Sequence, residues 1–133
     1  MDPRRGRRAA RARGLYTGDM DAQVTMLAAF SDKTRLRILH LLKGPDEHCV
    51  AELVEALELP QPKVSQHLAA LKSAGLIRCR KLSRWCFYRL VKPRSKFHTQ
   101  LVNGLLDSLA TDPVLRRDRA RLERSGAKGS CCD

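Results

Sequence analysis

The sequence predicts a mostly α-helical chain carrying one β-hairpin, a winged helix-turn-helix, and three observations support that prediction. Apolar residues recur at helical spacing through a succession of short segments between residues 20 and 74. Two of these segments, VAELVEALEL and PQPKVSQHLAALKSAG, follow one another with almost no chain between them, as in a helix-turn-helix. The next segment, LIRCRKLSRWCFYRL, abandons the 3.6-residue period for β-formers on both sides of a polar tip. With 133 residues, 43% of them hydrophobic, the chain can build one core and is too short for two.

Residues 1–18 carry six arginines and no apolar period, and are expected to be a basic disordered arm. Residues 19–110 are expected to hold the winged helix-turn-helix and the dimerisation surface, and residues 111–133 a basic C-terminal tail. Within MDAQVTMLAAF, Val24, Leu27 and Ala28 fall at helical spacing. SDKTRLRILHLLKG offers Ser31 or Asp32 as N-cap, a stripe of Leu36, Leu39 and Leu42, and Gly44 as the stop. PDEHC reads as a short loop, and the third helix turns Leu53, Val54 and Leu57 inward.

In the fourth helix Pro62 suits the first turn, Val64, Leu68 and Leu71 form the buried stripe, and Gly75 ends it. The hairpin follows, with its polar tip between Lys81 and Arg84. KFHTQLVNGLLDSLA then presents Leu101, Val102, Leu105, Leu106 and Leu109 as an apolar face wider than one small domain needs, so part of it is expected to meet a second subunit. From Thr111 the chain is Arg-rich and reads as helical to Arg124, and SGAKGSCCD beyond it reads as flexible.

Lysine and arginine total 26 against 14 acidic residues, a net charge of +12 with a pI near 10.2, which points to a polyanionic partner, nucleic acid first. Aromatic residues make up only 5%, too few for the stacking platforms of single-strand binders. No apolar run approaches the roughly 18 residues of a membrane span. The N-terminal segment lacks the apolar core of a secretory signal. Five cysteines without an export signal are expected to be reduced thiols in the cytoplasm. No His or acid pattern identifies a general base for a cysteine nucleophile, so an enzyme is not expected.

On the fourth helix, Gln66 lies opposite the buried stripe, flanked by Pro62, Lys63, Ala69 and Ala70. Small neighbours let such a face enter a groove, where Gln66 can pair with adenine and Lys63 can reach guanine or phosphate. Gln61 and Ser65 sit at the edges, suited to phosphate oxygens. His67 falls only 60 degrees from the stripe, nearer to a packed histidine than to a base reader, and is kept as the weakest of the DNA-contact candidates. At the wing tip Lys81, Ser83 and Arg84 offer two cations and a hydroxyl to a backbone phosphate.

Three stretches, FSDKTRLRILHLL, HCVAELVEALELPQPKVSQHLAALKSAGLI and RKLSRWCFYRL, resemble successive signatures of the ArsR/SmtB family of bacterial metal-responsive repressors, from about Met20 to Leu90. The resemblance implies a homodimer joined through its first and last helices, an imperfect palindromic operator, and release of that double-stranded DNA by an inducer ion. Arsenic-sensing members carry a segment like ELCVCDL at the start of the third helix. Here it reads EHCVAEL, so Cys49 matches the first ligand and Ala51 stands in place of the second.

Trivalent arsenic is soft and takes up to three thiolates, so a lone cysteine would hold it poorly. Cys131 and Cys132 in the terminal GSCCD are the candidates to complete a site with Cys49, for As(III) or for the similarly thiophilic Sb(III) and methylarsenite. Cys79 and Cys86 form a second candidate pair, facing each other directly if the wing turns on Leu82 and Ser83. Such a pair suits methylated arsenic(III) or an oxidant-sensing role. The zinc site of relatives is not expected, because Leu109 and Lys96 stand where ligands accompanying His98 would be needed.

Overall fold

In the computed structural model, residues 20–127 are described. The expected basic arm and the Cys131–Cys132 pair lie outside them. In chain order the elements are α1 (Met20–Ala29), α2 (Lys33–Leu41), β1 (His48–Cys49), α3 (Val50–Leu57), α4 (Gln61–Ser73), β2 (Ile77–Leu82), β3 (Trp85–Leu90), α5 (Lys96–Ser108) and α6 (Pro113–Ala127). The sheet is antiparallel, ordered β1-β3-β2. The two-residue β1 falls where a plain loop was expected, because so short a strand leaves no alternation to read.

Asp32 caps α2, its carboxylate accepting from the Arg35 amide at 3.0 Å. The turn between α3 and α4 is three residues, Glu58 to Pro60, and Glu58 takes a left-handed conformation (φ 55°) to close the helix. Ser95 caps α5 in the same way, accepting from the His98 amide. The core gathers Ile38, Leu39 and Leu41 from α2 with Leu42 just after it, Leu53 and Leu57 from α3, and Val64, Leu68 and Leu71 from α4. Ile77 from β2 and Val102 and Leu106 from α5 join it.

In α1 the buried residues are Met26 and Ala29, followed by Phe30, while Val24 and Leu27, which share the helical spacing, are 58% and 46% exposed. An i, i+4, i+7 stripe of Met20, Val24 and Leu27 therefore faces out of the single chain. In the wing, Lys81 pairs with Cys86 and Leu82 with Trp85, so the turn is Ser83–Arg84, and Cys79 faces Tyr88 rather than Cys86. Ser83 supplies the positive φ (58°) that the turn needs. The register also places Ile77 opposite Leu90, the two aliphatic residues nearest the core.

The Arg-rich segment expected within a basic tail forms α6 and packs against α3 and α2. Its Leu115 and Leu122 are buried, and Asp118 is fully enclosed. Arg37 of α2 grips Asp118 through two bonds of 2.7 and 2.9 Å, and Arg121 donates to the same carboxylate at 2.7 Å. The same guanidiniums also donate to the last carbonyls of α3, Arg37 to Leu57 (2.9 Å) and Arg121 to Ala56 (2.6 Å). Arg119 does likewise for His40 and Lys43 at the end of α2. Helix C-termini leave carbonyls unpaired and carry partial negative charge, so cations satisfy both needs.

Burial, aided by Arg119 and Lys43, holds His40 below the ordinary histidine pKa, and burial alone does the same to His98. His40 Nδ1 is buried with no hydrogen-bond partner among the described residues. A base with a depressed folded-state pKa binds its proton more readily when unfolded. The stability it contributes is present above the unfolded histidine value of about 6.5 and is lost as pH falls below it. The urea midpoint is therefore expected to fall between about pH 7.5 and 5.5, and His40→Gln is expected to flatten that dependence. An unchanged wild-type midpoint across this window would contradict the assignment.

Candidate nucleic-acid interface and cysteine sites

The outward face of α4 is open: Gln61, Pro62, Lys63, Ser65, Gln66 and Ala69 are exposed, with Val64, Leu68 and Leu71 buried on the opposite side. Pro60 precedes the helix and Pro62 sits in its first turn, which fixes the entry of the chain and presents Lys63 and Gln66 from the N-terminal half. This is the end of a recognition helix that reaches base edges. His67 is different. Its Nδ1 accepts from Arg35 Nε at 3.2 Å and lies 3.9 Å from Asp32 Oδ1, with the side chain 14% exposed. The α2 cap and Arg35 thus hold the ring against the body of the domain, the packed placement that the sequence weighs against a DNA contact.

At the wing tip Lys81, Ser83 and Arg84 are all exposed. The Arg84 guanidinium lies over the Trp85 ring, 5.5 Å from its centroid, and Arg80 similarly over Phe87 at 5.4 Å. Trp85 and Phe87 therefore act as supports for cations. That pairing was not legible from the sequence, because it depends on the strand register. Arg80 is also engaged by Glu47 at 3.0 Å. No salt bridge to a carboxylate engages Arg84 among the described residues, and its side chain stands exposed at the tip over Trp85.

Cys49 occupies the junction of β1 and α3, as N-cap of the helix, and is buried. It is disulfide-bonded, whereas Cys79 and Cys86 are free thiols. Cys49 Sγ lies 3.8 Å from Glu52 Oε1, and the other oxygen of Glu52 is 2.8 Å from His48 Nδ1. Among the described residues no group of three or more His, Cys, Asp or Glu side chains is arranged to hold a metal ion. An arsenic centre at Cys49 thus needs sulfur from elsewhere, and Cys131 and Cys132, the candidates to supply it, lie outside the described residues.

Comparison with known proteins places these features in a family. Residues 32–78, spanning α2 through the start of the wing, match the description "Bacterial regulatory protein, arsR family". The arsenic resistance transcriptional regulator ArsR1 of Pseudomonas putida is 38% identical over 98 residues, covering 74% of this chain and 75% of that protein. The chain belongs to the arsR family.

Members of this family are transcriptional regulators that bind DNA, not enzymes. The arsenical resistance operon repressor of Escherichia coli is 43% identical over 67 residues, 50% of this chain and 57% of that one. Among solved structures, HlyU from Vibrio cholerae aligns with a TM-score of 0.55 at 38% identity, covering 64% of this chain and 91% of its own. A Mycobacterium bovis fragment described as a homodimeric winged helix-turn-helix DNA-binding domain gives 0.55 at 28% identity, covering 68% and 80%. The fold expected from the sequence is thus the fold of the family. Among the described residues no helix is long and apolar enough to cross a membrane.

Proposed function

We propose that the chain is a cytoplasmic, homodimeric repressor that holds double-stranded operator DNA and releases it when trivalent arsenic binds cysteine thiolates at Cys49, Cys131 and Cys132. Sb(III) and methylarsenite share the required chemistry. Two α4 helices would supply register through Gln61, Lys63, Ser65 and Gln66, and the wings would supply charge through Lys81, Ser83 and Arg84. The apolar stripe of Met20, Val24 and Leu27 supports a subunit interface built on α1.

The observation that carries this reading is where Cys49 sits relative to α6. Ser125 donates to Glu55 at 2.8 Å while Arg121 binds Ala56, so α6 runs along α3. Glu55 is six residues from Cys49, about 9 Å of helix, and four residues separate the end of α6 at Ala127 from Cys131, an extended reach of about 14 Å. The tail is long enough to bring two thiolates to the start of α3. Names of relatives agree, since the P. putida and E. coli proteins are called arsenic and arsenical resistance regulators.

Fluorescence anisotropy of the reduced protein on its own upstream DNA, titrated with arsenite, tests the reading beside a variant truncated after Ser130. Release from the full chain and none from the truncation is the expected pair of results. Equal release from both would remove Cys131 and Cys132 from the site.

A second reading, a repressor whose thiols sense oxidants or sulfur species, is favoured by the disulfide at Cys49. Likeness to HlyU, one structure of which is titled reduced HlyU, points the same way. Peroxide releasing DNA in metal-free buffer, reversed by dithiothreitol, with arsenite inert, would select it.

A further inference from the structure

The reading above makes no use of Cys79 and Cys86. Residues directly opposite in an antiparallel ladder share a face, so Cys79, Tyr88, Lys81 and Cys86 all lie on one side of the wing. Moving the turn from Leu82–Ser83 to Ser83–Arg84 changes each partner by two, an even step that leaves both sulfurs on the same face. They become diagonal neighbours. The Cys79 thiol is near enough to Cys86 and to the Tyr88 hydroxyl for each to influence the others' ionisation. Both cysteines are half-buried free thiols, on the face that carries the buried Ile77, with Lys72 of α4 close by.

We propose that Cys79 and Cys86 form a second, two-thiolate binding site on the wing, separate from Cys49, for a thiophilic centre that takes two sulfur ligands, namely a mono-organo arsenic(III) species. Diagonal Cβ atoms stand about 7 Å apart, beyond the 3.5–4.5 Å that a direct disulfide needs. An inserted atom with bonds to sulfur of about 2.3 Å spans that gap. The spacing therefore favours a bridging atom over oxidation of the pair.

The chemistry is balanced without a redox partner: R–As=O and two thiols give R–As(SR)2 and one water. Two As–S bonds replace the As–O double bond, both thiol protons leave in the water, and arsenic stays trivalent. Burial and then the adjoining Cys86 push the Cys79 thiol up, and Lys72 only partly opposes them. A raised thiol resists oxidation, which proceeds through thiolate, but carries no equilibrium penalty in a reaction that takes up neutral thiols and releases water.

Phenylarsine oxide is the probe, used on the reduced full chain carrying Cys49→Ser, Cys131→Ser and Cys132→Ser, so that only the wing thiols remain. One adduct per chain is expected by mass spectrometry, both thiols disappearing together from a dithionitrobenzoate titration. The adduct should survive millimolar monothiol, and adding Cys79→Ser or Cys86→Ser should weaken retention by about 100-fold or more, as expected when a tethered second ligand is lost. Two thiols that titrate independently, or an adduct equally labile with one thiol and with two, would overturn the proposal.

Circular dichroism matching wild type establishes that this background is folded. Independently of it, Cys79→Ser/Cys86→Ser in the otherwise native chain should bind one equivalent fewer than wild type, and unchanged stoichiometry would equally overturn the site. Because the first background lacks Cys49 and the tail thiols, its outcome does not depend on the proposed arsenite site.

Discussion

Asp118→Ala is expected to lower the unfolding free energy by about 3–5 kcal/mol, the effect of removing one partner from a buried charge cluster. Asp118 is 0% exposed, and the side chains of Arg37 and Arg121 that converge on it are only 20% and 15% exposed. Removing the carboxylate leaves two guanidiniums facing each other across the end of α3, still tied to the Leu57 and Ala56 carbonyls. Like charges then repel where a shared anion had drawn α6 against α2 and α3. Urea unfolding read by circular dichroism measures the loss. Arg117→Ala, on the exposed side of α6, should stay within about 0.5 kcal/mol of wild type. An Asp118→Ala midpoint as close to wild type as that control would show that α6 is not anchored by this cluster.

The second large effect concerns DNA. Gln66→Ala is expected to weaken operator binding by about 1–3 kcal/mol, roughly 5- to 150-fold, while leaving affinity for unrelated duplexes unchanged. Arg84→Ala should instead weaken both, and lower the slope of log affinity against log salt by about 0.9, the signature of one phosphate contact. The difference follows from placement. Gln66 projects from the open face of α4, whereas Arg84 rests on Trp85 at the wing tip. Salt-dependent anisotropy on operator and scrambled DNA separates the two, and identical behaviour of both variants would contradict the assignment of roles.

The helix-turn-helix was legible because α2, α3 and α4 each carry a buried stripe at the right period and end at recognisable caps, Asp32 before α2 and Pro62 in the first turn of α4. What the sequence concealed was pairing at a distance. Periodicity in α1 allowed several inward faces, and only packing selects Met26 and Ala29 over Val24 and Leu27. The wing's strands were plain, but its register depends on which residue accepts positive φ and which aliphatics meet the core. Charge density in α6 read as a tail because Arg119 and Arg121 look solvated until the carbonyls of His40 and Ala56 are seen beneath them. Likewise His67 could be weighed against the buried stripe, but its Arg35 partner lies 32 residues away in the chain.

Cys49 joins the wing to the helix-turn-helix, closing β1 beside Phe87 and capping α3. In the proposed reading a ligand drawn to it would move α3 against α4, and a coupling of about 1–3 kcal/mol would change DNA affinity by 5- to 150-fold. The most direct measurement is an arsenite titration of the reduced protein–operator complex, comparing wild type with Cys49→Ser under matched salt. The account predicts release of DNA from wild type and retention by Cys49→Ser, with equal operator affinity for the two proteins before arsenite is added. Release from Cys49→Ser at the same arsenite concentration as wild type would contradict it.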